Sequence, residues 1–269
     1  MEHNLHVLVN SKEQLNTVKD MSEHISRVYV DSSIVKDCGD LLDSMDIDVY
    51  LAGPYIFRMK DYDIFEGFLK KHSFKGVLVR NLETLEYMKK FTNDYDIVID
   101  SSMYILNSDA FRFISAACKN VNEYYASQEL NIHEIKDVIK GLEDYPDIYH
   151  SIIVYGKNTM MISANCLKKT HNECNQKREF VSIKDRYKKV FPVLCNCVYC
   201  YNVIYNSVPL SLHKYLNDFS NKGNFRLDFS DETASECEKI IKYFLDLKNT
   251  YTDPWYSDYT TGHIKHGIE

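Results

Sequence analysis

Eight short apolar runs of high β-propensity recur along this chain of 269 residues, and segments with helical patterning separate most of them. The runs are His6–Val9, Arg27–Val30, Val49–Ala52, Gly76–Val79, Asp96–Ile99, Asn122–Ala126, Ser151–Tyr155 and Phe225–Phe229. Most are nearly continuous in apolar residues, which is typical of parallel strands covered on both faces. Eight strands alternating with helices predict an α/β protein, and more specifically a (β/α)8 TIM-like barrel.

Capping signals support the helices, and missing motifs help to choose the fold. Ser11 with Gln14, and Asn131 with Glu134, have the spacing of a capping box, which predicts where two connecting helices begin. A doubly wound open sheet is the alternative arrangement. The sequence contains no G-x-G-x-x-G or Walker motif that would support a nucleotide-binding version of that sheet, so the barrel is favoured.

Residues 158–222 interrupt the alternation between the seventh and eighth strands. They show no clear helix–strand repeat apart from a predicted helix near Leu210–Phe219. We therefore expect a single barrel domain over residues 1–269, with 158–222 as a Cys-rich and basic excursion within it. Active sites of such barrels lie at the C-terminal ends of the strands, and the excursion leaves from that rim.

Half of the eight cysteines of the chain lie close together in this excursion. They are Cys166, Cys174, Cys197 and Cys200, and the last two have C-x-x-C spacing. One tight turn with that spacing lets two thiolates bind the same metal centre. We therefore predict a metal site formed by these four residues, with Cys195 as a substitute ligand.

Other roles for the thiols stay open at this point. Four thiolates suit tetrahedral zinc as well as an iron–sulfur cluster, and buried thiols or a redox pair are further alternatives. A thioredoxin-like pair begins a helix that follows a strand, whereas this C-x-x-C follows the loop-like Phe191-Pro192. That context favours the metal site over the redox pair.

The same segment is basic in an otherwise acidic chain. The whole chain has 32 Lys and Arg against 39 Asp and Glu, a formal net charge of −7, which does not attract phosphate backbones in general. Residues 168–189, in contrast, carry eight Lys and Arg against three acidic residues. A solvated basic loop and a contact with RNA or another anion are the two interpretations. Nearby positive charge is also expected to lower the pKa of the thiols.

Charged residues directly after the strands are the candidates for catalysis. Glu129 and Arg80 follow the sixth and fourth strands, and an acid and a guanidinium that both point into a barrel mouth need partners or a ligand. We assign these two as catalytic candidates, with Asp228 among the substrate-binding residues. Asn81 and Asn131 are further candidates there, although both also suit helix caps.

Localisation and membrane association are read from what the sequence lacks. The N-terminus shows no signal pattern, and no apolar run approaches the roughly 18 residues that indicate a membrane span. A cytoplasmic chain seldom keeps disulfides, so eight cysteines there indicate buried thiols with a metal or redox site. We expect a cytoplasmic protein that does not enter a membrane.

Several stretches resemble the collagenase-like peptidases of family U32, in the order of that family and over nearly the whole chain. They are Val77–Glu83, Ser127–Asn131, Val154–Gly156, Lys184–Arg186, Asn206-Ser207, Arg226–Glu232 and Thr261–His263. The chain looks most similar to the C-terminal part of the long two-part members, which implies a preceding barrel in a longer protein as a partner.

The resemblance implies an activity other than proteolysis. The better-understood members are implicated in oxygen-independent hydroxylation of a wobble uridine in tRNA, a cytidine in ribosomal RNA or the ubiquinone ring, and they bind a four-iron cluster through four cysteines. Cys166 matches one family cysteine. The motif residues Lys184 and Arg186 are expected to bind substrate.

Two family positions differ in this sequence. A signature Glu falls on Ser151, and a second family cysteine falls on Thr159. The other cluster ligands must then be Cys174, Cys197 and Cys200. The resemblance thus implies an RNA-base hydroxylase with a 4Fe–4S cluster; a peptidase and a non-catalytic barrel with a structural metal site are the alternatives.

Overall fold

The computed structural model describes residues 4–91, 94–219, 223–247 and 253–267. The strands are, in chain order, β1 (Leu5–Val9), β2 (Arg27–Asp31), β3 (Asp48–Ala52), β4 (Gly76–Val79), β5 (Asp96–Ile99), β6 (Val121–Tyr125), β7 (Tyr149–Gly156), β8 (Thr159–Ser163), β9 (Glu179–Lys184), β10 (Val190–Asn196), β11 (Tyr201–Tyr205), β12 (Leu210–Ser211) and β13 (Phe225–Asp228). The helices are α1 (Lys12–Asp20), α2 (Val35–Leu42), α3 (Tyr62–Lys71), α4 (Leu82–Met88), α5 (Ser108–Ala117), α6 (Ile132–Lys140), α7 (Leu167–Thr170) and α8 (Ala234–Asp246).

Within these residues, eight parallel strands close into a barrel, as predicted. The order around the barrel is β13, β1, β2, β3, β4, β5, β6 and β7, and β7 pairs with both β6 and β13. Helices follow most of the strands, and their apolar faces pack on the outward-facing residues of the sheet in one large core. Each of the eight predicted apolar runs coincides with one barrel strand. The fold is therefore a (β/α)8 barrel.

Both predicted residues cap a helix start, but only α6 has the complete capping box. Asn131 and Glu134 form the reciprocal capping box of α6. At α1 the Ser11 side chain accepts from the backbone of Gln14, but the Gln14 side chain accepts from the amide of Asn10 at 2.7 Å. Gln14 thus ties α1 to the end of β1, because its amide nitrogen also donates to the carbonyls after β13.

Charged side chains occupy the barrel interior beside apolar and aromatic ones. Strand residues alternate in direction, so Leu8 and Tyr29 point inward together with their i−2 neighbours, His6 and Arg27. The interior apolar residues are Leu8, Tyr29, Tyr50, Ala52, Leu78, Val98, Tyr125 and Ile153. Arg226 of β13 lies over the Tyr125 ring, with 3.9 Å between the guanidinium carbon and the ring centroid. A nearly continuous apolar run in the sequence therefore conceals a polar inner face.

Residues 157–209, here called the mouth insert, form a small sheet of their own. In the described chain its strands run antiparallel in the order β8, β11, β10 and β9. The predicted helix near Leu210–Phe219 is wrong: β12 and a short 3-10 helix over Leu216–Asp218 occupy it. Phe191-Pro192 lies in β10 rather than in a loop, and Pro192 is tolerated because β10 pairs only with β9 at that point.

The mouth insert lies over the C-terminal ends of the barrel strands. Arg178 donates to Ser33 and Asn10, which follow β2 and β1, at 2.7 and 3.0 Å. Arg58, after β3, donates to the carbonyl of Tyr199 at 2.7 Å. A cluster of aromatic and aliphatic side chains from β10 and β11 packs against the loop that holds Tyr55. These contacts fix the insert at the rim where barrel active sites lie.

Among the described helices, none has the length and apolar character needed to cross a membrane.

Candidate active site at the mouth of the barrel

A cavity of about 260 Å³ opens at the C-terminal end of the barrel, between the strand ends and the mouth insert. Strand-end residues Asn10, Arg80, Asp100 and Asp228 contribute to its wall, and Ile162 from β8 contributes from the insert. The other lining residues are Leu8, Tyr55, Ser101, Ser102, Tyr104, Ser127, Gln128, Glu129, Ile153, Gly156, Lys157, Thr159, Tyr205, Phe229 and Ser230. The cavity thus coincides with the site that the fold predicts.

Arg80 is buried in the wall between two carboxylates. Its Nη1 atom donates to Asp31 at 2.9 Å, and its Nε atom lies 3.4 Å from Asp100. The guanidinium carbon also lies 4.4 Å from the ring centroid of Tyr55. Burial favours the neutral guanidine, but Tyr55, Asp31 and Asp100 outweigh it and raise the pKa of Arg80. Arg80 is therefore a permanently charged and rigidly held group.

Arg226 makes a second set of ion pairs under the cavity. Its Nε and Nη2 atoms donate to the two oxygens of Asp228 at 2.5 and 2.9 Å, and Nη2 donates to Asp100 at 2.7 Å. Asp100 consequently lies between two guanidinium groups. Burial alone would raise the pKa of Asp100, but Arg226 and Arg80 hold that pKa below its ordinary value.

Asp228 differs from Asp100 because part of it faces the cavity. Its side chain is 25% exposed, against 2% for Asp100. Burial raises the pKa of Asp228 despite the pairing with Arg226. A carboxylate with this exposure can accept a hydrogen bond from a ligand, and the raised pKa brings proton exchange closer to neutral pH.

Glu129 lies at the rim and contacts the C-terminal segment of the chain. Its Oε2 atom is 3.7 Å from Nε2 of His263, and Nδ1 of His263 lies 3.0 Å from the carbonyl of Gly267. Both side chains remain partly exposed. The predicted residues Arg80, Glu129 and Asp228 therefore share one cavity.

Aromatic residues that the sequence did not single out complete the rim. Tyr104 is 58% exposed and has φ of 52°, in the left-handed region that residues other than glycine rarely adopt. Tyr55 and Tyr205 line the cavity from the β3 loop and the insert. Tyr55 lies three residues after the end of β3 and directly after Gly53-Pro54, so a systematic reading of strand ends could have found it. Tyr104 carries no comparable signal in the sequence.

Two predicted substrate-binding residues are helix caps instead. Asn81 accepts from the amide of Thr84 at the start of α4 and donates to the carbonyl of Pro54 at 2.7 Å. Asn131 caps α6. Neither lines the cavity, and the side-chain oxygen of each accepts from backbone amides at the start of the following helix. Their prediction as substrate ligands at this cavity is not supported by their position.

Lys184 and Arg186 also lie outside the cavity, near the turn between β9 and β10. Asp185 organises this turn by accepting from the amides of Tyr187 and Lys189 at 2.8 and 2.9 Å. Arg186 lies over the exposed Tyr187 ring, 4.7 Å from its centroid. We call residues 184–189 the hairpin tip. It presents Lys184, Arg186, Lys188 and Lys189, all exposed, to solvent.

Not all of the basic segment is available to a partner. Lys168 is buried, forms an ion pair with Glu179 and donates to Asn175 at 2.6 Å. Arg178 is bound to Asn10 and Ser33, as described above. The exposed cations of residues 168–189 are Lys169, Lys177, Lys184, Arg186, Lys188 and Lys189. Positive charge is therefore concentrated toward the hairpin tip.

Two of the four predicted metal ligands, Cys197 and Cys200, lie in the β10–β11 turn, and the thiols of Cys166 and Cys174 are near enough to Cys197 to affect its pKa. Burial raises the pKa of Cys197, although Lys168 opposes the shift. The nearby thiols of Cys166, Cys174 and Cys200 raise this pKa further. The expected lowering of thiol pKa by nearby cations is thus wrong at Cys197. Burial raises the pKa of Cys195 in the same way.

A sulfur-only donor set of four free thiols suits iron–sulfur or zinc chemistry. The arrangement is not that of a formed site. Among the described residues, no three His, Cys, Asp or Glu side chains are placed to hold a metal ion. Cys197 instead donates to the carbonyl of Lys177 at 3.1 Å. The four thiols are therefore the right type of ligand for an iron–sulfur cluster or zinc. The turns that carry them would have to close around the metal.

Ser151, where a signature Glu was expected, has a buried acidic neighbour. Ser151 and Asn224 both donate to Oε1 of Glu123 on the adjacent strand β6, the latter at 2.9 Å. Arg27 forms an ion pair with the other oxygen of Glu123. Burial alone would raise the pKa of Glu123, but His6, Arg27 and these hydrogen bonds hold it below its ordinary value. A carboxylate is thus retained in this layer of the barrel, on a different strand.

Comparison with known proteins decides the family. A sequence model of peptidase family U32 matches residues 40–178, about half of the chain. The chain belongs to peptidase family U32. No curated protein sequence matches it. The structure of the U32 peptidase Mk0906 is similar to this one with a TM-score of 0.50 at 11% identity, over 86% of this chain and 94% of that chain.

More distant barrels share less with this U32 chain. The YdjI aldolase from Escherichia coli K12 has a TM-score of 0.40 at 8% identity, over 93% of this chain and 82% of the aldolase. Triosephosphate isomerase from Bartonella henselae has a TM-score of 0.39 at 10% identity, over 58% of this chain and 84% of that chain. The matched segment of the U32 family ends at Arg178 and includes Cys166 and Cys174, but not the C-x-x-C turn.

Proposed function

We propose that this U32 protein modifies RNA, and that it hydroxylates a base without molecular oxygen by means of an iron–sulfur cluster held in the mouth insert. The observation that carries the proposal is the mouth cavity itself. It combines a partly exposed carboxylate, Asp228, with an exposed aromatic ring, Tyr104, and its volume of about 260 Å³ suits a single small ring system.

These groups match what an unstacked base requires. Proteins recognise such bases by stacking them on aromatic rings and by hydrogen bonding to their polar edges. Tyr104 offers the ring, and Asp228 and Glu129 accept hydrogen bonds from ring or exocyclic N–H groups. Lys157, paired with Asp231 and 3.7 Å from Glu232, adds a positive charge at the wall. Arg80 and Arg226 keep the carboxylates in place.

The cluster would be held by Cys166, Cys174, Cys197 and Cys200. When bound, an iron–sulfur cluster would transfer single electrons. With water as the oxygen source, hydroxylation releases two electrons and two protons for each base, and the cluster would pass the electrons to an external electron acceptor. Only two consecutive residues connect the thiols to the cavity wall. The carbonyl of Lys177 accepts from the Cys197 thiol, and the next residue, Arg178, binds Asn10 in the wall. Zinc is the alternative occupant of the same thiols.

RNA would be held at the hairpin tip. Four exposed cations within six residues can contact several phosphates, and the exposed Tyr187 can stack on an unpaired base. The eight free thiols agree with a reducing compartment, and we propose a cytoplasmic location on that ground. A preceding barrel in a longer chain remains a proposed partner, resting on the family resemblance.

The metal part is tested by anaerobic reconstitution with iron and sulfide. We expect iron–sulfur absorbance in the wild type and its loss in Cys197→Ser, whereas Cys237→Ser, which removes a buried thiol of α8, retains it. Tight zinc with no iron absorbance would favour the structural metal site. Equal absorbance in both variants would contradict the assignment of the ligands.

The RNA part is tested with a fluorescent RNA stem-loop that has an unpaired pyrimidine loop. Binding should weaken with salt. We compare wild type with a variant that carries both Lys188→Ala and Lys189→Ala. In a plot of the logarithm of the RNA association constant against the logarithm of the salt concentration, the slope of the variant should be shallower by about 0.7 for each phosphate contact that is lost. Lys71→Ala, an exposed lysine at the end of α3, is the matched control. Equal slopes in all three proteins would contradict the proposed binding of RNA at the hairpin tip.

A peptidase is the second candidate, and one observation favours it. His263 lies beside Glu129 at the rim, and a histidine oriented by a carboxylate can act as a general base. Hydrolysis of gelatin or casein that is lost in His263→Ala but survives Cys197→Ser would replace the hydroxylase proposal. If the wild type hydrolyses neither protein and still binds RNA, the result supports the hydroxylase over the peptidase.

A further inference from the structure

The C-x-x-C turn is physically connected to the cavity by tyrosines. Tyr199 lies inside the turn between Cys197 and Cys200, and Tyr201 follows directly at the start of β11. Both rings are buried and stack on each other, with centroids 6.4 Å apart and 24° between the ring planes. A change in the shape of the turn around its two thiols therefore moves the Tyr199 ring against the Tyr201 ring.

Tyr201 reaches from this pair to the barrel. Its hydroxyl oxygen accepts from the backbone amide of Tyr55 at 3.2 Å and from the side-chain amide of Asn196 at 3.1 Å. Asn196 in turn accepts from the amide of Tyr199 at 3.2 Å, which closes a small buried network across the base of the turn. These bonds place one end of the network in the turn and the other in the β3 loop.

Tyr55 carries the connection into the cavity. Its ring lines the cavity together with Thr159 at the start of β8 and lies under the Arg80 guanidinium. Arg58, three residues later, holds the turn by its bond to the Tyr199 carbonyl. The β3 loop is thus joined to the turn at two points and to the cavity at one.

The turn itself has strained backbone. Cys200 has φ of 56°, in the left-handed region, although it is neither glycine nor asparagine. The left-handed conformation costs backbone energy in a residue with a side chain, so a change of the turn that releases Cys200 from it is favoured locally.

We propose that Tyr201 is a positioning residue, which transmits the occupancy of the Cys197–Cys200 pair to Tyr55 and Arg80 in the cavity. The proposal deepens the proposed function, since it concerns the same cavity and the same thiols, but it requires neither RNA nor turnover. The coupling between the two sites is reciprocal. If binding at the thiols changes the position of Tyr55, then a ligand in the cavity must change the affinity of the thiols for the group they bind.

The test uses Zn²⁺ as the probe and the backbone amide of Tyr55 as the reporter. Protein labelled with ¹⁵N-tyrosine is titrated with Zn²⁺ under reducing conditions, and the Tyr55 amide signal is assigned from its absence in Tyr55→Phe. We expect this signal to shift on Zn²⁺ binding in the wild type. In Tyr201→Phe, which keeps the stacked ring and loses the hydroxyl, the shift should fall several-fold while the Zn²⁺ stoichiometry is retained.

Two controls separate transmission from general damage. Tyr149→Phe removes a hydroxyl from an exposed ring at the start of β7, at the opposite end of the barrel, and should behave as wild type. Cys197→Ser with Cys200→Ser should abolish the Tyr55 shift, with far-ultraviolet circular dichroism unchanged. An equal Tyr55 shift in wild type and Tyr201→Phe would overturn the proposal, as would a Tyr55 signal that stays fixed in wild type. Failure of the hydroxylase proposal would show instead as absent iron absorbance or RNA binding, with the Tyr55 response intact.

Discussion

Ser151 on β7 donates a hydrogen bond to the carboxylate of Glu123 on the neighbouring strand β6. Both side chains are almost completely buried, and Glu123 also binds Arg27 and Asn224. The acidic group of this layer therefore comes from β6, and there is room for one such group. A second carboxylate at position 151 would face Glu123 without a further cation of its own.

This arrangement predicts the result of restoring the signature acid. Ser151→Glu should lower the free energy of unfolding by about 3 kcal/mol, because it buries a like charge beside Glu123. Ser151→Ala, which loses only the hydrogen bonds, should cost about 1–2 kcal/mol. Ser151→Glu in a Glu123→Ala background should recover stability relative to Ser151→Glu alone. Urea unfolding measures all three, and additive effects would contradict the shared position.

Arg226 should be far more important to stability than an exposed partner in an ion pair. Arg226→Met leaves Asp100 and Asp228 without their shared guanidinium in a buried site, and we expect a loss of about 3–5 kcal/mol. Lys75→Met removes a half-exposed pair with Asp48 and should cost less than about 1 kcal/mol. Adding Asp228→Asn to Arg226→Met should restore part of the loss. Similar losses for the two single variants would show that the network contributes little.

His6 makes stability depend on pH. Burial lowers the pKa of His6 to about 3, from an ordinary value of 6.5. The unfolded chain therefore binds this proton at a higher pH than the folded protein does. Stability from His6 is complete above pH 6.5 and is lost at up to about 1.4 kcal/mol per pH unit as the pH falls toward 3.

A comparison of wild type with His6→Gln between pH 6.5 and 5 isolates this effect, because the raised pKa values of Asp228 and Glu232 act equally in both proteins. The depressed pKa values of Asp100 and Glu123 also lead to a loss of stability with falling pH, but below their ordinary values near 4. His213, whose pKa burial also lowers, contributes equally to both proteins compared. Urea unfolding at several pH values should show a shallower slope for His6→Gln than for wild type. Parallel slopes would contradict the prediction.

Two substitutions at Tyr104 distinguish the cost of its left-handed backbone from the contribution of its ring to RNA binding. Tyr104→Gly accepts the left-handed conformation without a Cβ contact, so it should be up to about 1 kcal/mol more stable than Tyr104→Ala, which retains that conformation with a side chain. Both variants lose the exposed ring, and both should bind the RNA stem-loop more weakly than wild type. Thermal unfolding and fluorescence anisotropy measure the two effects. Full RNA binding by Tyr104→Gly would remove the ring from the proposed site.

The barrel strands could be predicted because each is a local run of buried apolar residues. The charged interior could not, since Arg27, Glu123 and Arg226 are compatible with a strand start or an exposed edge until the barrel closes. Their partners, such as Glu123 for Arg27, lie on other strands and far away in sequence.

The excursion between the seventh and eighth barrel strands was predicted, but the four-stranded sheet inside it was not, for a related reason. Its strands are held by antiparallel pairing between segments whose own burial pattern is weak, and Pro192 is a poor strand residue except where one side is unpaired. Arg80, Glu129 and Asp228 were accessible from the rule that barrel sites follow the strand ends. Tyr104 and Tyr201 required the folded mouth, where the β5 loop and the insert meet the cavity.

The pairing of β12 with β7 has a consequence for how the protein could be modified. Leu210 lies opposite Gly156, so the insert leaves the barrel and returns to it at adjacent, hydrogen-bonded positions. The entropic cost of closing such a segment rises only slowly with its length, by about 0.6 kcal/mol for each doubling. The barrel and its cover are consequently separable in design: a short turn between β7 and β12 would leave the barrel uncapped, and another sheet could be grafted there as an interchangeable module.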